Sequence, residues 1–139
     1  MIRDILEQTA QDILTIFEVH APPIPIESML QRPSGNLWDA VDPTQLSGSF
    51  MSVKEKFSPR MSLARLLVRH VASSEWGRAR GLFQIMQQPE MIQAFARMLM
   101  MPRDMVLSMT PREQNPVSIS REFEVPQSEA EARLRELLV

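Results

Sequence analysis

The chain has 139 residues, 44% hydrophobic and 23% charged, with a formal net charge of −2. These values fit one globular core and argue against an extended disordered chain, while the slight acidity gives no general attraction to nucleic acid or anionic membranes. With no cysteine, disulfides, thiolate zinc sites, iron–sulfur clusters and cysteine nucleophiles are excluded.

The opening run MIRDILEQTAQDILTIF carries charges at Arg3, Asp4, Glu7 and Asp12. It therefore lacks the uninterrupted apolar stretch of a signal peptide. No segment approaches the roughly 20 apolar residues of a membrane span, so the expected location is cytoplasmic. Ile2, Ile5, Leu6, Ile13, Leu14 and Phe17 recur at helical spacing and predict an amphipathic helix over 3–18. The prolines of APPIPIESMLQ stop it, and Pro25 starts a short second helix with Ile26, Met29 and Leu30 on one face. Residues 33–48, punctuated by Pro33, Gly35, Pro43 and Gly48, read as a loop around Leu37, Trp38 and Val41. Ser49 to Phe57 reads as one or two short strands.

Ser58-Pro59 then signals a helix start, with Ser58 as N-cap, and predicts a helix over 59–73 that buries Leu63, Leu66, Leu67 and Val71. Residues 75–87 continue as helix or irregular helix. Pro89 opens and Pro102 closes a helix that is apolar around most of its circumference, which makes it central. Seven of the eleven methionines lie between Met86 and Met109; interleaved with aliphatic neighbours, they read as a forgiving core. A turn of helix over 103–109 and a proline-bounded linker over 110–116 lead to two short helices, 117–123 and 127–138. The second carries Ser128 and Glu131 as a capping box. The pair has the outline of a helix-turn-helix. The start of its second helix, however, presents Gln127, Ser128, Glu129 and Glu131, and carboxylates there repel phosphates.

Three segments in order carry a resemblance. SPRMSLARLLVRHV from Ser58 resembles the active helix of the ImmA/IrrE family of bacterial metallopeptidases, which reads RFTLAHELGH. MIQAFARMLMMP at 91–102 resembles the family's EANRFAAELLMP, and ISREFEVPQSEAEARLREL at 119–137 its LAKRFGVSEEAARIRLEKL. PPIPIESM and Ser47-Gly48 fall upstream in the expected order, so the resemblance spans most of residues 12–138. It implies an α+β fold, a mostly helical minimal zincin-like domain with a small short-stranded sheet. It also implies zinc held by two histidines and one acidic residue, and partners that are helix-turn-helix repressors.

The family's zinc chemistry needs two histidines at i and i+4 with a glutamate between them as general base. Laid on this chain, the first histidine position is Arg65, the glutamate Leu66, the second histidine Arg69 and the acidic third ligand Met91. All four are replaced, and sliding the register does not help: His70 would pair with Leu66, His20 lies fifty residues away, and Glu90 alone holds no zinc. No metal or cofactor is therefore expected. His70 reads most simply as a hydrogen-bonded helix residue, and two scattered histidines give no sign of a serine triad. Arg65 and Arg69 share a helix face at i and i+4. Either they reach solvent or pair with Glu75, Glu90 or Asp104, or they line the former metal cleft and receive an anion or a partner's carboxylate. Arg65, Arg69, His70 and Glu90 are the candidate partner-binding residues.

The expectation is a pseudo-peptidase core over 1–116 with a C-terminal helix pair over 117–139 packed on it. Its function is to bind a protein partner, such as a helix-turn-helix repressor, without cutting it. The alternative is a DNA-binding regulator that uses the C-terminal pair. Oligomeric state is left open.

Overall fold

Apolar residues at helical spacing need other helices to bury their stripes, and that is how the described residues are organised. The computed structural model describes residues 2–32 and 57–138. The elements in chain order are α1 (Ile2–Ile16), α2 (Ile26–Gln31), α3 (Ser58–Ser73), α4 (Glu75–Ala79), α5 (Leu82–Ile85), α6 (Pro89–Met100), α7 (Arg103–Leu107), a 3₁₀ turn (Pro111–Glu113), α8 (Pro116–Phe123) and α9 (Gln127–Leu137). Among the described residues no helix is long and apolar enough to cross a membrane.

The α+β zincin-like class expected above is corrected: all regular structure among the described residues is helical, with no strand and no sheet. The loop expected over 33–48 and the strand residues 49–56 lie outside the described residues. Phe57, expected as the last strand residue, is described, and it is not extended. It takes a left-handed conformation (φ 69°) as the N-cap of α3, and its carbonyl accepts the Arg60 N–H. The sheet was expected both from the strand-forming residues of 49–57 and from the resemblance, whereas the periodicity of the described residues is helical, and helix-on-helix packing satisfies it.

The central helix is α6, which packs on α3 and α1 and touches α9. Its prolines set its ends: Pro89 occupies the first turn, where its missing N–H costs nothing, and Pro102 follows the last. Phe95, Ala96, Leu99 and Met100 are fully buried, against Leu6, Ile13 and Leu14 of α1 and Leu67, Val68 and Val71 of α3 in one core. All seven methionines between 86 and 109 belong to this core or pack against it.

Two helix starts differ in detail from the sequence reading. Ser58 is the first helical residue of α3 and not its cap. For α9 the cap position is Pro126, whose extended backbone starts the helix at Gln127, two residues too early for a Ser128–Glu131 capping box. A carboxylate reaching back to a turn start is found instead at Glu113, which accepts from the Thr110 N–H (3.2 Å) and hydroxyl (2.8 Å).

Between α3 and α6 the chain makes a tight corner. The Ser74 hydroxyl donates to the Val71 carbonyl (2.6 Å) and accepts from the Gly77 N–H (3.0 Å), closing one helix and opening the next. Gly77 is required there, because a Cβ would sit 1.9 Å from the Val71 oxygen. Gly81, at φ +76°, then separates α4 from α5.

Candidate functional site

Two groups of arginines stand out among the described residues. The first group is tied to carboxylates. Arg133 of α9, fully buried, forms a two-pronged pair with Glu7 of α1 at 2.6 Å for each prong, and its Nε donates to the Met101 carbonyl (2.9 Å). Arg97 of α6 pairs with Glu136 (3.1 Å) and lies 3.5 Å from Glu129, both on α9. Burial acts to lower the Arg97 pKa, but the hydrogen bond and charge of Glu136, with help from Glu129, outweigh it and raise it above its ordinary value. Arg60 donates to Glu27 of α2 (2.6 Å), to the Ile24 carbonyl and to the Glu124 carbonyl (3.1 Å) in the α8–α9 turn. These pairs clamp both chain ends onto the core.

That clamp bears on the helix-turn-helix outline of α8 and α9. Glu124 turns the chain in the left-handed region (φ 55°), and Ile119, Phe123, Val125 and Ala130 are fully buried. Arg133 is committed to Glu7, and Arg135 lies 3.5 Å from Glu131. The two cations of the second helix are thus both engaged with carboxylates, and one is out of reach of any phosphate.

The second group lies on α3 to α5. The positions inherited from the resemblance do not form one cleft. Arg65, half-buried, donates to the Ser62 hydroxyl (2.9 Å) and lines a cleft of about 130 Å³ against Pro126, Ser128 and Glu129 at the start of α9. Arg69, one turn on, is exposed and lines a different cavity of about 240 Å³ between α3, α5 and α6. Leu66 and Met91 pack against the core, His70 is half-buried and Glu90 is exposed. Among the described residues neither Arg65, Arg69 nor His70 lies within 4 Å of a carboxylate, so the Glu90 partnership is not formed.

The cavity beside Arg69 has an apolar floor of Ala72, Met86 and Ile92, a wall of Phe83, and Ser73 and Gln87 at its edge. Arg78 stands at its rim: its guanidinium lies 3.9 Å over the Phe83 ring and its Nε donates to the Ser73 carbonyl (3.0 Å). Arg80 stacks 3.7 Å over Trp76 and donates to the Trp76 carbonyl (3.2 Å). Among the described residues, Arg78 and Arg80 also lie beyond 4 Å of any carboxylate. Sequence reading passed over both arginines. A signal was present, because residues 63–88 hold Arg65, Arg69, Arg78 and Arg80 against a single glutamate, Glu75, in a chain of net charge −2.

A wider cleft of about 430 Å³ lies between the end of α1 and α7, and His20, Asp104 and Ser108 are among its lining residues. Linear separation hid this grouping. The Ser108 hydroxyl donates to the Asp104 backbone carbonyl (2.6 Å), and no hydrogen bond or ion pair joins His20 to either residue, so the relay of a serine triad is not assembled. Comparison with known protein families, characterised proteins and solved structures finds no match.

Proposed function

We propose that this protein works by binding another protein without chemistry, through the cavity between α3, α5 and α6. The observation that carries the reading is the composition of that cavity: an apolar floor with Arg69 and Arg78 at its rim. Its lining offers a cation, a hydroxyl, an amide and apolar side chains. That set anchors and orients a ligand, but it supplies no group that exchanges protons near neutral pH. At about 240 Å³ the cavity falls below the roughly 300–1,000 Å³ of sites that enclose a small molecule. It suits one anchor side chain of a larger partner, the way an interface hot spot is seated in a pocket.

The test is site-specific cross-linking from Gln87, an exposed residue on the cavity wall. The captured protein is identified, purified and rebound to the intact chain. Binding that is lost on plugging the cavity with Ser73→Phe supports the reading. Rebinding that ignores the plug, or turnover of the partner that depends on cavity residues, overturns it.

A further inference from the structure

We infer that the partner presents an acidic segment carrying one apolar anchor side chain; this rests on the protein-binding reading above and adds the chemistry of the ligand. Two independent features of the α3–α5 surface lead there. The first is charge. Arg69 lines the cavity, Arg78 is held on its lining residues Phe83 and Ser73, and Arg80 follows two residues later on Trp76; among the described residues no carboxylate lies within 4 Å of the three. Elsewhere in this molecule Arg60, Arg97 and Arg133 all have carboxylate partners. Other exposed arginines, such as Arg32, Arg112 and Arg121, also lack an ion pair among the described residues; what sets Arg69 and Arg78 apart is that they border an apolar cavity. The second feature is pre-organisation. Arg78 is fixed on Phe83 and Arg80 on Trp76, each also tied by a backbone hydrogen bond. A guanidinium held by its face keeps free N–H donors at its edge, where a carboxylate is bound in fork geometry. Holding it in advance removes part of the ordering cost of binding.

The same stacking argues for a peptide over a single-stranded nucleic acid. Nucleic-acid surfaces of this kind use open aromatic faces on which bases stack. Here each ring already carries a guanidinium on one face, and Phe83 forms the wall of an apolar pocket. The apolar floor wants an aliphatic or aromatic side chain, and the rim wants carboxylates beside it.

The experiment uses the full chain and fluorescein-labelled peptides of about twelve residues read by anisotropy at low salt. One peptide places a leucine among glutamates, a second replaces every glutamate by glutamine, a third replaces the leucine by serine, and a labelled oligothymidylate serves as the nucleic-acid probe. Saturable binding of the first peptide is expected. At least tenfold weakening is expected for the second and third peptides, for the Arg69→Ala/Arg78→Ala variant, and on raising salt from 0.05 to 0.5 M. Ser73→Phe is expected to abolish binding, with circular dichroism verifying that each variant is folded. The acidic inference is overturned if the glutamine peptide binds as well as the glutamate one; loss of both on plugging the cavity would leave the protein-binding reading standing. It is also overturned if no peptide binds, in which case rebinding of the cross-linked partner decides the broader reading separately. Tighter binding of oligothymidylate than of any peptide, lost in the arginine variant, overturns both.

Discussion

The α1–α6–α9 side and the α3–α5 side of this molecule use the same side chain in opposite ways. On the first, Arg133 and Arg97 are held between helices by Glu7, Glu136 and Glu129, and Arg133 has no exposed surface at all. On the second, Arg78 and Arg80 rest on aromatic rings near the surface, and Arg69 stands at a cavity mouth. A buried guanidinium must have its charge answered inside the fold, because desolvating it alone is prohibitive. An exposed one is under no such demand. The contrast separates cations that hold the helices together from cations with no carboxylate partner among the described residues, which the proposal gives to a partner.

The largest effect that sharpens this contrast is expected at Arg133. Arg133→Met leaves Glu7 buried without a counter-charge, and breaking a buried pair in this way costs about 3–5 kcal/mol. That is a large share of the roughly 5–15 kcal/mol that holds a domain together. Urea unfolding should show it, and adding Glu7→Leu to the same chain should recover much of the loss, since the penalty belongs to the orphaned charge. Arg97 adds no pH dependence to this side in the neutral range. Its folded pKa is raised, so its stabilisation is complete below the unfolded value, and is lost only as pH climbs through the folded one.

A smaller effect is expected at the corner that presents the second group. Gly77→Ala drives a methyl group into the Val71 carbonyl, and such overpacking costs about 1–3 kcal/mol. Because α4 must shift away from α3, the same variant should also weaken binding of the acidic peptide. Gly81→Ala meets no neighbouring atom and should leave binding intact despite the strain at positive φ. If the two glycine variants behave alike in the anisotropy assay, the corner does not position Arg78 and Arg80.

The smallest effect on stability is expected for Arg69→Ala/Arg78→Ala. Both residues are exposed and substitutions at such positions usually change little, so the urea midpoint should stay within error of the parent. A clear drop would mean that these arginines belong with the first group after all.

Most helices were legible in the sequence because their signals are local. Pro89 and Pro102 bracket α6, and the spacing of Leu6, Ile13 and Leu14 marks the inner face of α1. The reading of 75–87 as helix or irregular helix did not divide it into α4 and α5. What misled was a likeness of segments to a fold with a sheet, together with the strand-forming residues of 49–57: short apolar helices match many families in pattern, and the described residues pack helix on helix. The clamp was half legible. Glu7 lies among the apolar positions Leu6 and Ala10, and Arg133 lies between Ala130 and Leu134, so each sat on a face where a charge needs a partner. Their pairing was hidden by a separation of 126 residues. At the candidate site, Arg69 was singled out for its i, i+4 spacing from Arg65, yet the two line different cavities. Arg80 stacks on Trp76 at an i, i+4 spacing that was there to be read, whereas Arg78 stacks on Phe83 five residues later, across Gly81, which helical periodicity does not display.

The division of arginines is tested most directly by following their side-chain Nε–H signals in one nitrogen-15 NMR titration of the intact protein with the leucine–glutamate peptide. The account requires the Arg69, Arg78 and Arg80 signals to move together and saturate, while those of Arg60, Arg97 and Arg133 stay in place and exchange slowly with water. Uniform small shifts across all arginines, or movement confined to Arg97 and Arg133, would contradict it.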